Sequence, residues 1–77
     1  MCLAIPARIV RLEAGDQALI DVGGIRKQVS VALVDGLAPG DYVIVHVGYA
    51  LARIDPAAAA ETLAAMAAAG IDAGALA

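Results

Sequence analysis

The sequence contains one cysteine, Cys2, and one histidine, His46, its two candidates for metal binding or proton transfer near neutral pH. A lone cysteine that serves as a small core hydrophobe normally sits inside a strand or helix. Chain ends are usually the least ordered part of a domain, so position 2 is a poor place for a filler. The placement favours a thiol that is meant to be reached. Removal of Met1 would leave an N-terminal cysteine whose ammonium group raises the thiolate fraction. A thiolate is a soft ligand suited to iron, copper(I) or zinc. The competing reading is an inert thiol at a frayed end. His46 alternates with Tyr42 and Ile44, opposite Val43, Val45 and Val47. There it is either a ligand or proton-handling group, or a structural imidazole bonded to backbone. One cysteine and one histidine cannot complete a four-coordinate zinc site. Any metal held here must borrow ligands from elsewhere, as in a carrier or a shared site.

Other chemistry is hard to build from these residues. No nucleophile, base and orienting group form a set, and no glycine-rich phosphate loop joins a strand to a helix. The chain reads as non-enzymatic. Five basic against eight acidic residues give a net charge of −3, with two tyrosines and no Phe or Trp. A nucleic-acid binder would show a basic stripe and stacking aromatics, and both are missing. Although 62% of the residues are hydrophobic, 20 of the 77 are alanine. The uncharged run from Thr62 to Ile71 lies between Glu61 and Asp72, well short of the roughly 20 residues of a membrane span. With no basic and apolar leader pattern and no possible internal disulfide, the expectation is a reduced, cytoplasmic protein without membrane contact.

The elements that must position Cys2 and His46 follow from the alternation. Residues 3–54 read as five short strands with glycine and proline punctuation. The first runs from Leu3 to Leu12, with Pro6 suited to an edge or bulge. The second covers Gln17–Val22, and Gly23-Gly24 signals a two-residue hairpin. The third is read from Ile25 to Val34, with Ile25, Val29, Val31 and Leu33 on one face. Residues 42–47 form the fourth strand and 49–54 the fifth, broken by Gly48. Asp55 as N-cap and Pro56 at the first helical position then open an alanine-rich helix closed by Gly70. Only Leu63 and Met66 give it bulk. The expectation is an all-β fold: a small OB-like five-stranded barrel over residues 1–55. A C-terminal helix at 56–70 packs on the barrel or a partner, and a flexible tail occupies 71–77.

Three segments together resemble the HypC/HupF family of hydrogenase maturation chaperones: the opening M-C-L-A-I-P, the central V-G-G-I-R-K-Q-V-S-V-A-L-V, and G-D-Y-V-I-V-H-V-G-Y-A-L-A-R-I-D. The likeness runs from Met1 to about Ala69. One departure is Ala7, where the family usually has glycine. The resemblance implies an OB-like barrel and a role in assembling the iron centre of [NiFe] hydrogenases. It implies two partners, a HypD-type scaffold and the hydrogenase large-subunit precursor, with iron as Fe(CN)2CO held transiently between chaperone and partner. Cys2 would be the essential ligand, and His46 a neighbour of the same site or a second ligand. The partner-facing residues expected on this basis are Cys2, Leu3, Ile5, Pro6, His46, Tyr49, Leu63 and Met66. Two other readings stay open: a protein–protein adaptor that never touches iron, and a small OB-type nucleic-acid binder. Iron with cyanide and carbonyl infrared bands in anaerobically purified protein separates the first from a carrier. Single-stranded DNA binding at low salt would be needed for the second.

Overall fold

The computed structural model describes residues 5–70. Five strands, β1 (Ile5–Glu13), β2 (Gln17–Val22), β3 (Ile25–Ser30), β4 (Tyr42–His46) and β5 (Tyr49–Ile54), are followed by one helix, α1 (Pro56–Ala68). The strands close into a barrel in the order β1-β2-β3-β5-β4, with β4 returning to β1. All neighbours are antiparallel except β3 and β5, which run parallel and meet at Ser30 and Tyr49. The OB-like all-β architecture expected from the sequence is the one observed.

Closure depends on β1 pairing with two strands along different parts of its length. Its first half, Ile5 to Arg8, pairs with β4, and its second, Arg8 to Glu13, pairs with β2. Following the pairs around the barrel leads from Glu13 through Gln17, Ser30 and Tyr49 to His46. The path thus returns to the opposite end of β1, the stagger that a closed barrel requires. Val10 is the extra residue of a bulge where β1 passes from one partner to the other. The proline is accommodated by the same division. The Ile9 N–H donates to the Asp41 carbonyl and the Gly40 N–H donates to Ile9, both at 2.8 Å. Odd-numbered residues of β1 therefore bond toward β4. The absent N–H of Pro6 is directed to the other side, where β2 has not yet joined.

The interior is narrow and is filled by small-against-large pairs. Ala7 lies opposite Val43, Ala18 opposite Val29, and Ala50 opposite Val45, all of them buried. Ile5, Ile9, Ile20 and Val22 supply the remaining strand bulk. Ala7 is fully enclosed and has no left-handed backbone, so alanine meets the needs of this position without glycine's freedom.

Several sequence expectations change at the strand ends: β1 runs on to Glu13 and β4 stops at His46, leaving Val47 in the turn. The third strand ends at Ser30, not Val34. The Val31 N–H leaves the ladder for the Asp16 carbonyl at 2.8 Å, and Val34 turns back onto Val31. Leu33, assigned by alternation to the same face as Val29, is exposed. The buried residue of this connection is instead Leu37, which joins the core from the loop. Arg53 holds that loop by donating to the carbonyls of Asp35 and Gly36 at 3.0 and 2.9 Å.

The helix begins as its sequence dictates. The Asp55 carboxylate accepts from the Ala57 and Ala58 N–H groups, Pro56 occupies the first turn, and Gly70 takes a left-handed φ of 78° just past the last turn. Leu63 and Met66 pack half-buried against the core, so the helix docks on the barrel. Ala59, one turn earlier on that stripe, is fully buried. Its small side chain lets the backbone come close, which the search for bulk alone overlooks. The proposed tail, 71–77, lies outside the described residues.

Leu37 and Leu33 give a matched test of this packing. Leu37→Ala should destabilise by about 2–4 kcal/mol, because it empties a buried site, whereas Leu33→Ala should cost under about 0.5 kcal/mol. Urea midpoints of the two variants measure the difference. Equal losses would contradict the assignment of Leu37 to the core.

Candidate functional site

The strand register brings the candidate residues to one end of the barrel. Ile5, the first residue of β1, pairs with Val45, the residue before His46. His46 in turn pairs with Tyr49 across a two-residue turn, Val47-Gly48. Parity along β4 sends Val43 and Val45 into the barrel and Tyr42, Ile44 and His46 outward. His46 is half-buried on the outer surface at the end of its strand, and no hydrogen bond from a described residue holds its ring. The expectation of a rim position is met, and a ring enclosed in the barrel core is excluded.

The turn that follows His46 departs from ordinary hairpin chemistry. Both central residues have positive φ, 46° for Val47 and 82° for Gly48. A two-residue hairpin of this kind favours Asn, Asp or Gly at the first position. The chain's other such turn obeys the rule, with Gly23 at 59° and Gly24 at 88°. For a β-branched residue the left-handed region costs roughly 1–2 kcal/mol. Val47 is nonetheless 73% exposed, and Tyr49 and Leu51 beside it are 48% and 46% exposed. Residues 44–52 include no Asp, Glu, Lys or Arg. The hairpin tip is therefore an uncharged, largely apolar projection with His46 at its base.

The remaining predicted residues divide by environment. Ile5 is fully enclosed and Pro6 is buried, so both side chains are committed to the fold and have no free surface to offer a partner. Leu63 and Met66 are half-buried under the helix. Tyr49 is exposed beside His46, as a contact residue must be. Cys2 and Leu3 lie outside the described residues. Val47 and Leu51 were missed by the sequence reading, since alternation marks them only as strand residues. The available signal was the valine in front of Gly48, in a position that hairpins reserve for Asn, Asp or Gly.

Among the described residues, no group of three or more His, Cys, Asp and Glu side chains is close enough to hold a metal ion. A separate cleft of about 340 Å³ lies between the start of β4, the end of β5 and the first turn of α1. Its walls include Asp41, Tyr42, Arg53 and Asp55, at the opposite end of β4 from His46. Asp41 and Asp55 accept from the backbone of Ala38 and of the helix start, and Arg53 donates to loop carbonyls. These groups are occupied with structure. No helix of the described residues is long and apolar enough to cross a membrane.

Comparison with known proteins fits this arrangement. The HupF/HypC family model matches residues 1–66, which include Cys2, all five strands and the helix as far as Met66. The chain is 57% identical over 63 residues to the hydrogenase maturation factor HypC of Cupriavidus necator, covering 82% of this chain and 70% of that protein. It is 54% identical over 67 residues to the HypC of Azotobacter chroococcum, covering 87% and 80% of the two chains. With the HypC of Escherichia coli the identity is 38% over 69 residues, covering 82% and 76%. A match that spans most of both partners and both candidate side chains shows that the chain belongs to the HupF/HypC family.

Proposed function

We propose that the protein is a non-enzymatic chaperone of hydrogenase maturation that acts in the cytoplasm. It holds the Fe(CN)2CO group jointly with a HypD-type scaffold and delivers it to the [NiFe]-hydrogenase large-subunit precursor. Cys2 supplies the thiolate, and the partner supplies the remaining ligands. The observation that carries this reading is the register of Ile5 with Val45. Cys2 precedes Ile5 by three residues, a chain length of at most about 10 Å. Ile5 opens β1 at the His46 end of the barrel, which supports assigning the two side chains to one site. A reduced compartment keeps such a thiol available.

The roles follow from chemistry. A thiolate is a soft donor suited to low-valent iron, and a serine oxygen in its place is a far poorer one. The His46 imidazole orients the thiol or bonds a cyanide nitrogen, and either ring nitrogen can donate or accept a hydrogen bond there. This is a positioning role, with direct ligation left to Cys2. Tyr49 and Leu3 face the partner. Ile5 and Pro6 contribute indirectly, by fixing where β1 begins. Leu63 and Met66 keep the helix on the barrel.

Cys2→Ser should abolish hydrogenase maturation while leaving the melting temperature of the barrel unchanged. Normal hydrogenase activity in cells carrying only this variant would refute the central claim. An extra residue retained ahead of Cys2 should impair handover with the thiol still present, because it crowds the thiol's entry into a partner's site and removes the adjacent ammonium. Full maturation by a protein whose mass confirms the extension would count against that requirement.

His46→Gln should leave stability within about 0.5 kcal/mol of wild type, as expected of a half-exposed ring without a hydrogen-bond partner among the described residues. The same variant should slow maturation, and His46→Ala should slow it further. Thermal melts and maturation rates measured on the same proteins separate the two effects. A large stability loss in His46→Gln would restore a structural role for the ring.

A further inference from the structure

We infer that Val47 is a docking anchor, whose side chain projects from the β4–β5 hairpin tip into an apolar socket on the scaffold protein. This rests on the proposed function, in which the His46 end of the barrel meets that scaffold.

The argument begins with an apparent conflict in the sequence. Val47 occupies a backbone conformation that a β-branched residue adopts only under strain, at a φ of 46°. Packing among the described residues does not explain the choice. The side chain is 73% exposed and is not among the residues packed against the core. Asn, Asp or Gly would form the same turn without strain, and the Gly23-Gly24 turn shows this chain doing so. A residue that strains the backbone and stabilises nothing inside the described fold has its use outside it.

Its surroundings indicate the chemistry of the partner. Tyr49 and Leu51 flank it with about half their surfaces exposed, and His46 lies at the base of the same turn. The tip is convex, so its complement is concave. The absence of charge across residues 44–52 argues against an anionic membrane or nucleic acid as the occupant. The fitting surface is a protein pocket lined by apolar groups, with a polar group at its rim for the Tyr49 hydroxyl. Side chains seated in well-packed, fully desolvated pockets carry most of the energy of a protein interface.

The test compares free-protein melting with affinity for purified HypD-type scaffold, for wild type, Val47→Asn, Val47→Ala and Leu12→Ala. Val47→Asn should raise the melting temperature by about 4–8 °C, the shift expected when one strained residue is relieved in a chain of this size. It should also weaken scaffold binding at least about tenfold, as loss of an anchor does. Val47→Ala keeps the positive φ and removes the bulk, so it should weaken binding without that rise in melting temperature. Leu12, equally apolar and 44% exposed on β1, should tolerate alanine with unchanged affinity. Wild-type affinity in both Val47 variants would overturn the anchor assignment alone. Failure of wild type to bind scaffold would overturn the proposed function and the anchor with it. Sedimentation of the free protein as a dimer that Val47→Asn dissociates would also overturn the assignment, by making a second copy the occupant.

Discussion

The fold depends on one constraint: β1 must close the barrel by pairing with β4 along its first half and with β2 along its second. A chain with no Phe or Trp has little bulk with which to fill a wide barrel, so the strands must come close. The Ala–Val pairs across β1–β4, β2–β3 and β4–β5 show how this is done. Each alanine leaves room for the valine facing it, and interior density is reached with small side chains. A chain of this length buries only about 60–65% of its unfolded surface, which leaves little stability to spare. Leu37 from the loop and the Ala59–Leu63–Met66 stripe of the helix extend the core beyond the strands.

The same closure determines where function can reside. Because the pairing path around the barrel is staggered, the beginning of β1 arrives at the end of β4, next to His46. The bulge at Val10 and the proline at position 6 both serve this exchange of partners. One absorbs the change in register, and the other occupies the position where a missing N–H is harmless. The first residues of β1 are thus tied to a particular barrel end through backbone pairing.

The sequence made much of this legible, for identifiable reasons. Gly23-Gly24 and the Asp55-Pro56 pair each mark a boundary through a specific conformational or capping requirement, and each boundary falls where it was read. The strand read through to Gly48 ends one residue early, at His46. Alternation in 42–46 separated Val43 and Val45 from Tyr42, Ile44 and His46, but a single strand cannot show which face looks inward. That choice is made by the neighbours, through Ala7 and Ala50. Alternation also misled. Val29, Val31 and Leu33 continue the pattern of β3, while Val31 bonds to Asp16 and the chain leaves the sheet. A tertiary hydrogen bond decided the strand's end, and local pattern has no access to it. Ile5 and Pro6, expected on the family resemblance to face a partner, are both buried: Ile5 points into the barrel, and Pro6, paired with outward Ile44, is covered on the other face. Val47 was legible only as a rule broken: a valine where the turn calls for Asn, Asp or Gly.

An incomplete ligand set suits the proposed task better than a complete one. A four-ligand site on this chain would bind metal with a large favourable free energy, and release would then be slow or require another reactant. In the proposed role, a single thiolate would hold iron only while a partner completes the coordination. Affinity for the cargo then depends on which protein is docked, and exchanging the partner exchanges the missing ligands. Docking must therefore be specific and must act next to the thiol. The turn carrying Val47, with Tyr49 and Leu51 beside it, follows directly from His46 and is tied through Val45 to the start of β1, which supports the second condition. On this reading the barrel contributes geometry more than chemistry, keeping one short reactive segment and one docking hairpin in register while other proteins supply the rest of the site.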